Sequence, residues 1–323
     1  MDKFKIINAI NEVKSYMRSC KLCPRTCRIN RLNGELGYCK APYPAKFFYD
    51  NILYGEEIEI SPTYEIFLVG CNMKCEFCYV REKAKKSCKI GASDLKSIEK
   101  DIEQIEGRSI SFVGGEPTVN LLSVLETLSN INSYPMLVWN TNMYMNPSIP
   151  EILSGIIDTY ISDLHFYSNK CSKILSDTED YFYHASNALL NATKNAYVIV
   201  RHLLIPNHIE CCFFPIADWM KQNLPHIPVR IMDNFYGKYG ESITKEDVKL
   251  AEEYAKKIGL KIYEEKSIDD NLSACLSKTS IEEIIIDYDG RIIIPHLTLE
   301  FLDIASAIEP DNKELQIRNK IFN

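Results

Sequence analysis

The feature that most constrains this chain is the stretch Cys71-Asn72-Met73-Lys74-Cys75-Glu76-Phe77-Cys78-Tyr79, in which three thiols are spaced C-x3-C-x2-C. It follows an apolar run, Ile66-Phe67-Leu68-Val69-Gly70, so the thiols lie just beyond a predicted strand. Thiolates are soft ligands that select iron–sulfur clusters, zinc or copper(I). A cubane 4Fe–4S cluster takes four cysteines, so three on one loop can hold three irons and leave the fourth open to another ligand. Zinc with a remote fourth ligand is the competing reading, although zinc motifs usually come as C-x2-C pairs. Buried thiols without metal are the third.

A second cysteine group lies upstream: Cys20, Cys23, Cys27 and Cys39. The segment between them is turn-rich and short of apolar periodicity, so it needs a staple rather than a core of its own. A structural zinc site and a second 4Fe–4S cluster both accept four thiolates, and spacing does not separate them. Cys88, Cys171, Cys211, Cys212 and Cys275 have no ligand-like spacing and read as buried hydrophobic thiols. Clustered cysteines with no export signal point to a reducing cytosol and metal ligation rather than disulfides. The first 19 residues lack the apolar core of a signal peptide. Phe4, Ile7, Ile10, Val13 and Met17 instead predict an amphipathic helix. No apolar run approaches the ~20 residues of a membrane span, and a net charge of −7 offers no basic footprint for nucleic acid.

From residue 64 strands and helices alternate, which predicts a parallel α/β sheet. Strands are expected at 65–70, 109–113, 136–140, 158–163, 197–204 and 229–232. Helices are expected at 93–105, 119–129, 150–154, 179–193, 214–222 and 244–258, with Ser93 and Thr244 as N-caps. Six such units predict a partial (β/α)6 TIM-type barrel, with a Cys-rich N-terminal segment and a C-terminal extension. The expected divisions are 1–45 (helix and metal-binding segment), 46–266 (barrel) and 267–323 (extension). Ala41-Pro42-Tyr43-Pro44 reads as the first linker. In the extension, two isoleucine runs flank Tyr288-Asp289-Gly290, a hairpin signal, and a helix-like run covers 299–308. The expected role of the extension is to cover an open sheet edge.

Ligands of such sheets bind at the carboxyl ends of the strands. Here the first strand runs into the cysteine loop and the second into Gly114-Gly115-Glu116-Pro117. The third ends in Asn140-Thr141-Asn142 and the fourth in Asp163-Leu164-His165. The fifth carries Arg201-His202, and the sixth ends in Asp233-Asn234. Six polar strand ends argue for one shared site. Two glycines let a ligand approach the backbone closely, Glu116 offers a carboxylate to an ammonium, and Pro117 suits a first helical turn. A plain strand-to-helix turn is the alternative for this segment taken alone.

The cysteine loop followed one strand later by the GGEP segment resembles the radical S-adenosylmethionine (SAM) superfamily. Val138-Trp139-Asn140-Thr141-Asn142-Met143-Tyr144-Met145, Arg201-His202-Leu203-Leu204-Ile205-Pro206 and the Cys20-to-Cys39 group resemble, more narrowly, proteins related to pyruvate formate-lyase activating enzyme. That resemblance spans most of the chain. It implies that Cys71, Cys75 and Cys78 hold a 4Fe–4S cluster whose open iron is chelated by SAM. It also implies a SAM pocket drawn from Gly114, Gly115, Glu116, Pro117, Asn140, Asn142 and Asp163, with Phe77 and Tyr79 beside it. Arg201 would pair with the SAM carboxylate, a structural ion pair being the alternative. One-electron reduction would then cleave SAM to methionine and a 5′-deoxyadenosyl radical that abstracts hydrogen. The implied partners are a flavodoxin- or ferredoxin-like electron donor and a protein or peptide substrate, first a backbone glycine of a glycyl-radical enzyme. Another peptide or small molecule in cofactor or natural-product biosynthesis is the second reading, and a non-enzymatic iron–sulfur redox protein the third. The chain differs from the narrower group at Asp163-Leu164-His165, where that group has Asp-x-Lys, so no lysine role carries over.

Overall fold

The computed structural model describes residues 2–80, 92–105, 107–235 and 242–264, and the backbone of four short strands beyond them. The strands are β1 (Lys46–Leu53), β2 (Thr63–Leu68), β3 (Ser93–Asp94), β4 (Ser109–Gly114), β5 (Met136–Thr141), β6 (Thr159–Asp163), β7 (Tyr197–Leu203) and β8 (Val229–Met232). In the extension they are β9 (Ser280–Ile281), β10 (Ile285–Ile286), β11 (Ile292–Ile294) and β12 (Leu299–Glu300). The α-helices among the described residues are α1 (Lys3–Arg18), α2 (Glu99–Gln104), α3 (Leu121–Asn130), α4 (Ile149–Ile152), α5 (Asn169–Ser176), α6 (Tyr181–Ala192), α7 (Phe214–Asn223) and α8 (Lys245–Ile258).

The main sheet runs β10-β11-β1-β2-β4-β5-β6-β7-β8. From β2 to β8 the neighbours along this path are parallel, whereas β1 is antiparallel to β2. The expected six parallel strands are therefore present, and the sheet stays open rather than closing on itself. The β2 strand is buried at every position, as a parallel strand covered on both faces must be. Alternation sorts the other side chains by face. Val138, Ile161 and Ile199 meet Ile60 in a small inner cluster. Their neighbours Trp139, Tyr160, Val198 and Val200 join the larger layer packed with the helices. Asn140, Asp163 and Arg201, two residues beyond the inner-cluster positions, share the inner face.

Several local expectations are revised. The α1 helix buries Ile6, Ala9, Val13 and Met17, leaving Phe4 and Ile7 exposed, because helix α3 packs against that adjacent stripe. Ser93 caps nothing: it pairs with Phe47 in β3, and the helix expected from residue 93 is delayed to a 3-10 turn and then α2. Thr244 does cap α8, in a reciprocal capping box with Asp247. Helix α5 lacked a periodic signal in its short sequence and was not anticipated. The 41–44 stretch is docked rather than a free spacer: Ala41 is fully buried, and its carbonyl accepts from Arg31 Nη2 at 3.0 Å. In the extension β10 and β11 pair antiparallel and β11 adds to β1 through Ile52–Ile294, which covers that sheet edge. Leu299–Glu300 is a strand against Ser280–Ile281 rather than the start of a helix. Tyr288-Asp289-Gly290, Cys88 and Cys275 lie outside the described residues.

Candidate functional site

The cysteine loop leaves β2 at its carboxyl end and is held from three sides. Helix α5 supplies two carbonyls: Ser176 O accepts from Lys74 N at 2.9 Å and Leu175 O from Glu76 N at 2.8 Å. The upstream cysteine segment supplies Cys39 O, which accepts from Cys71 N at 3.0 Å, and Arg25, whose Nε donates to Asn72 O at 3.1 Å. The end of β5 supplies Asn142, whose Nδ2 lies 2.9 Å from Asn72 Oδ1 and 3.8 Å from Cys71 Sγ. Cys71, Cys75 and Cys78 are mutually close enough to raise the Cys71 thiol electrostatically, after burial as the first cause and with Glu116 contributing.

The GGEP turn packs directly on this loop. A Cβ on Gly115 would lie 2.0 Å from Gly70 O, and one on Gly114, whose φ is +104°, would lie 2.4 Å from Leu68 N. Only glycine permits that approach. Pro117 opens a 3-10 turn, and Glu116 is its N-cap. The Glu116 carboxylate is buried and fully enclosed by neutral donors. Oε1 accepts from Thr118 N at 3.0 Å and Thr141 Oγ1 at 2.8 Å, and Oε2 from Asn142 N at 2.9 Å. Burial pushes its carboxyl upward against those hydrogen bonds. The Thr118 side chain adds a fourth hydrogen bond, so the carboxylate is held on all of its about four acceptor positions by neutral groups and by no cation among these donors.

Asp163 lies across the same face. Burial first, then the nearby Glu116 charge, raise its carboxyl to about 7. Its neighbour His165, with Nε2 3.8 Å from Asp163 Oδ2, accepts from Leu203 N through Nδ1 at 3.1 Å. Burial and then His202 lower that imidazole to about 3, so it is neutral and does not compensate the carboxylate. Phe77 packs among His165, Phe166 and Phe235, with ring centroids 5.5–6.3 Å apart. Tyr79 is largely exposed beyond the loop.

Arg201 stands in register with Asp163 on the neighbouring strand. Its guanidinium pairs with Glu56 and with Glu57, the Nε–Glu57 Oε1 contact measuring 2.7 Å. Both glutamates come from the connection between β1 and β2, at the amino ends of the parallel strands. Arg230 Nη1 joins Glu57 at 3.2 Å. The structural ion pair that the sequence left open for Arg201 is the arrangement observed.

The upstream cysteines are assembled beside the loop. Cys20 and Cys23 are buried, and burial raises both thiols, Cys23 to about 12. Cys39 and Cys20 add electrostatically at Cys23, and Asn72 hydrogen-bonds its sulfur. A separate set was not foreseen: Cys171, His208, Cys211 and Cys212 bring four ligating atoms within 4.8 Å of one another. The adjacent Cys211-Cys212 pair with a histidine three residues earlier was the available signal. Its partner Cys171 lies on a different β/α unit and could not be matched by spacing.

Comparison with known proteins decides the family. The sequence profile of the radical SAM superfamily matches residues 66–220. An uncharacterized protein of Methanocaldococcus jannaschii is 32% identical over 268 residues, covering 76% of this chain and 77% of that protein. The chain belongs to the radical SAM superfamily. A second M. jannaschii protein, named provisionally as a glycyl-radical enzyme activating enzyme, is 24% identical over 208 residues, covering 62% of this chain and 78% of its own. Among solved structures the chain is similar to anSMEcpe with bound AdoMet (TM-score 0.46, 18% identity, 69% of this chain and 71% of that one). It is also similar to Streptococcus suis SuiB bound to its precursor peptide SuiA (TM-score 0.45, 18% identity, 64% and 49%). Radical SAM proteins are enzymes that use a 4Fe–4S cluster, SAM and an electron donor. The donor set fits that cofactor: three thiols on one loop, an amide directed at the first of them, and the Glu116 carboxylate close by. No described helix is long and apolar enough to cross a membrane.

Proposed function

We propose that this radical SAM enzyme abstracts hydrogen from a polypeptide, with a backbone glycine of a partner protein as the favoured target. When bound, the cluster and SAM supply reductive cleavage of the C5′–S bond and a 5′-deoxyadenosyl radical. In this reading Cys71, Cys75 and Cys78 hold three irons. The negative charge of Glu116 and the Asn142 region receive the cationic end of SAM, and Asp163 adds negative charge across the pocket. Gly114 and Gly115 keep the GGEP backbone against the cluster loop, and Phe77 with its aromatic neighbours excludes water from one wall.

The observation that carries the polypeptide reading is a cleft of about 590 Å³ outside the carboxyl end of β6, lined by Tyr167, Asn169, Asp180, Phe182 and Tyr183 among others. It is open and shallow, with the aromatic pair Tyr167–Phe182 at 4.6 Å on its wall. An open aromatic groove on the rim after β6 has room for an extended chain, whereas small ligands are usually enclosed. The relative named as an activating enzyme supports the choice of glycine. The test offers reduced enzyme and SAM a soluble proteome labelled with α,α-dideuterioglycine, beside its low-mass filtrate. Deuterium in 5′-deoxyadenosine from the macromolecular fraction alone is the expected result. Transfer from the filtrate alone, or from neither fraction, overturns the glycine assignment.

A further inference from the structure

The carboxyl-end rim of the barrel carries a second ligand-rich group that the radical chemistry does not use. Cys171 lies in the first turn of α5, just after β6. His208, Cys211 and Cys212 lie in the connection after β7, where residues 209–213 form a π-helical turn preceded by Asn207 at φ +64°. Such turns recur at functional sites because the extra residue re-aims the side chains around it. Here it lets neighbouring residues Cys211 and Cys212 present both sulfurs to one point.

The distances are those of ligands around a single ion. Cys171 Sγ to Cys211 Sγ is 3.6 Å, Cys211 Sγ to His208 Nδ1 is 3.4 Å, and Cys211 Sγ to Cys212 Sγ is 4.0 Å. Bond lengths of about 2.3 Å for Zn–S and about 2.0–2.1 Å for Zn–N give tetrahedral edges of about 3.8 Å between sulfurs and about 3.5 Å between sulfur and nitrogen. A cubane cluster would hold its thiolates farther apart, around eight atoms instead of one. Cys171 and Cys212 are buried, whereas Cys211 is exposed, which leaves an entry path for an ion. The Cys212 sulfur also accepts backbone hydrogen bonds from Ser168 and Tyr167, the outer support that metal thiolates commonly have.

We propose that Cys171, His208, Cys211 and Cys212 form a mononuclear Cys3His zinc site on the rim of the barrel, separate from the radical SAM cluster. Zinc(II) suits it because three thiolates and one imidazole close a four-coordinate structural site with no open position. Binding exchanges the thiol protons for the metal, with no change in oxidation state. The ion would clamp the start of α5 to the connection after β7. The other end of the same helix supplies the Leu175 and Ser176 carbonyls that hold the cluster loop. The site therefore reaches the radical centre through one short rigid helix.

The test uses the full chain, prepared anaerobically with zinc and iron supplied. Wild-type protein is compared with Cys171→Ser/Cys211→Ser and with His208→Gln for zinc and iron content, and X-ray absorption at the zinc edge gives the ligand set. The expected result is loss of about one zinc per chain in the double variant, with a site of three sulfurs and one nitrogen in the wild type. Zinc in the double variant equal to that in the wild type, or loss of iron instead, overturns the assignment. If the variants do not fold, alkylation of the wild type decides. Cys211, although exposed, should react roughly tenfold more slowly with bound zinc than after chelation. Equal rates, or a Cys171–Cys211 disulfide in the anaerobic protein, overturn it as well.

Discussion

At the amino ends of the parallel strands, Glu56 and Glu57 are buried against two guanidiniums, those of Arg201 and Arg230. At the carboxyl ends, the buried Glu116 and the partly buried Asp163 have no lysine or arginine ion pair among the described residues. The first arrangement is neutralised internally and asks for nothing more. In the second, amide and hydroxyl donors hold Glu116, and burial raises it and Asp163, as it also raises Glu57 in the first. Uncompensated buried charge is costly, and it persists where a ligand completes it. SAM brings an ammonium and a sulfonium, so the uncompensated end is the one a cationic cosubstrate would complete. The contrast separates a charge network that holds the barrel together from one that awaits a ligand.

The largest effect expected comes from replacing Cys71, Cys75 and Cys78 together with alanine. Anaerobic protein should lose about four irons per chain, with SAM cleavage abolished and the amino-end network intact. Retained 5′-deoxyadenosine formation would remove the carboxyl end from the chemistry altogether. Arg201→Met should come next, lowering folding stability by about 3–5 kcal/mol because two glutamates lose a buried partner. Denaturant unfolding measures this, and SAM affinity of the folded protein should not change. A fall in SAM affinity at unchanged stability would place Arg201 with the ligand and break the comparison.

Glu116→Gln should do the reverse. SAM affinity is expected to drop about ten- to a hundredfold, ~1.5–3 kcal/mol, by equilibrium binding. Stability should hold or rise, since a buried charge is removed. A stability loss like that of Arg201→Met would make Glu116 a structural residue. The smallest effect concerns pH. Asp163 is neutral below about 7 and ionised above it, so binding of a cation should tighten as pH rises through that value. Its stability contribution runs the other way. The folded chain keeps a proton that the unfolded chain releases near 3.8, so stability falls as pH rises between those values. Titration calorimetry on either side of neutrality should find the binding dependence flattened in Asp163→Asn. An unaltered dependence would assign it to another group.

Much of the fold was readable from local pattern. All six parallel strands fall within two residues of the expected ends, because each is a short apolar run bounded by turns. The GGEP turn was legible for the same reason: two glycines and a proline report a backbone requirement within four residues. Helix α5 and strand β3 were not. The first is too short to establish a period, and the second exists only because Phe47 lies opposite Ser93.

What the sequence by itself determined is whatever is encoded in contiguous residues: strand order, the three-thiol loop, the capping box at Thr244 and the superfamily. What only the tertiary structure decided is which distant side chains meet. Arg201 could have faced a ligand or an ion pair, and folding of the 54–62 connection under the sheet supplied Glu56 and Glu57. Cys171 carried no spacing signal, and the parallel pairing of β6 with β7 brought its helix beside Cys211 and Cys212. Periodicity is imposed by the backbone of a single element, so the chain displays it directly. Ligand sets and charge networks are imposed by how elements pack, and that is written in no single stretch.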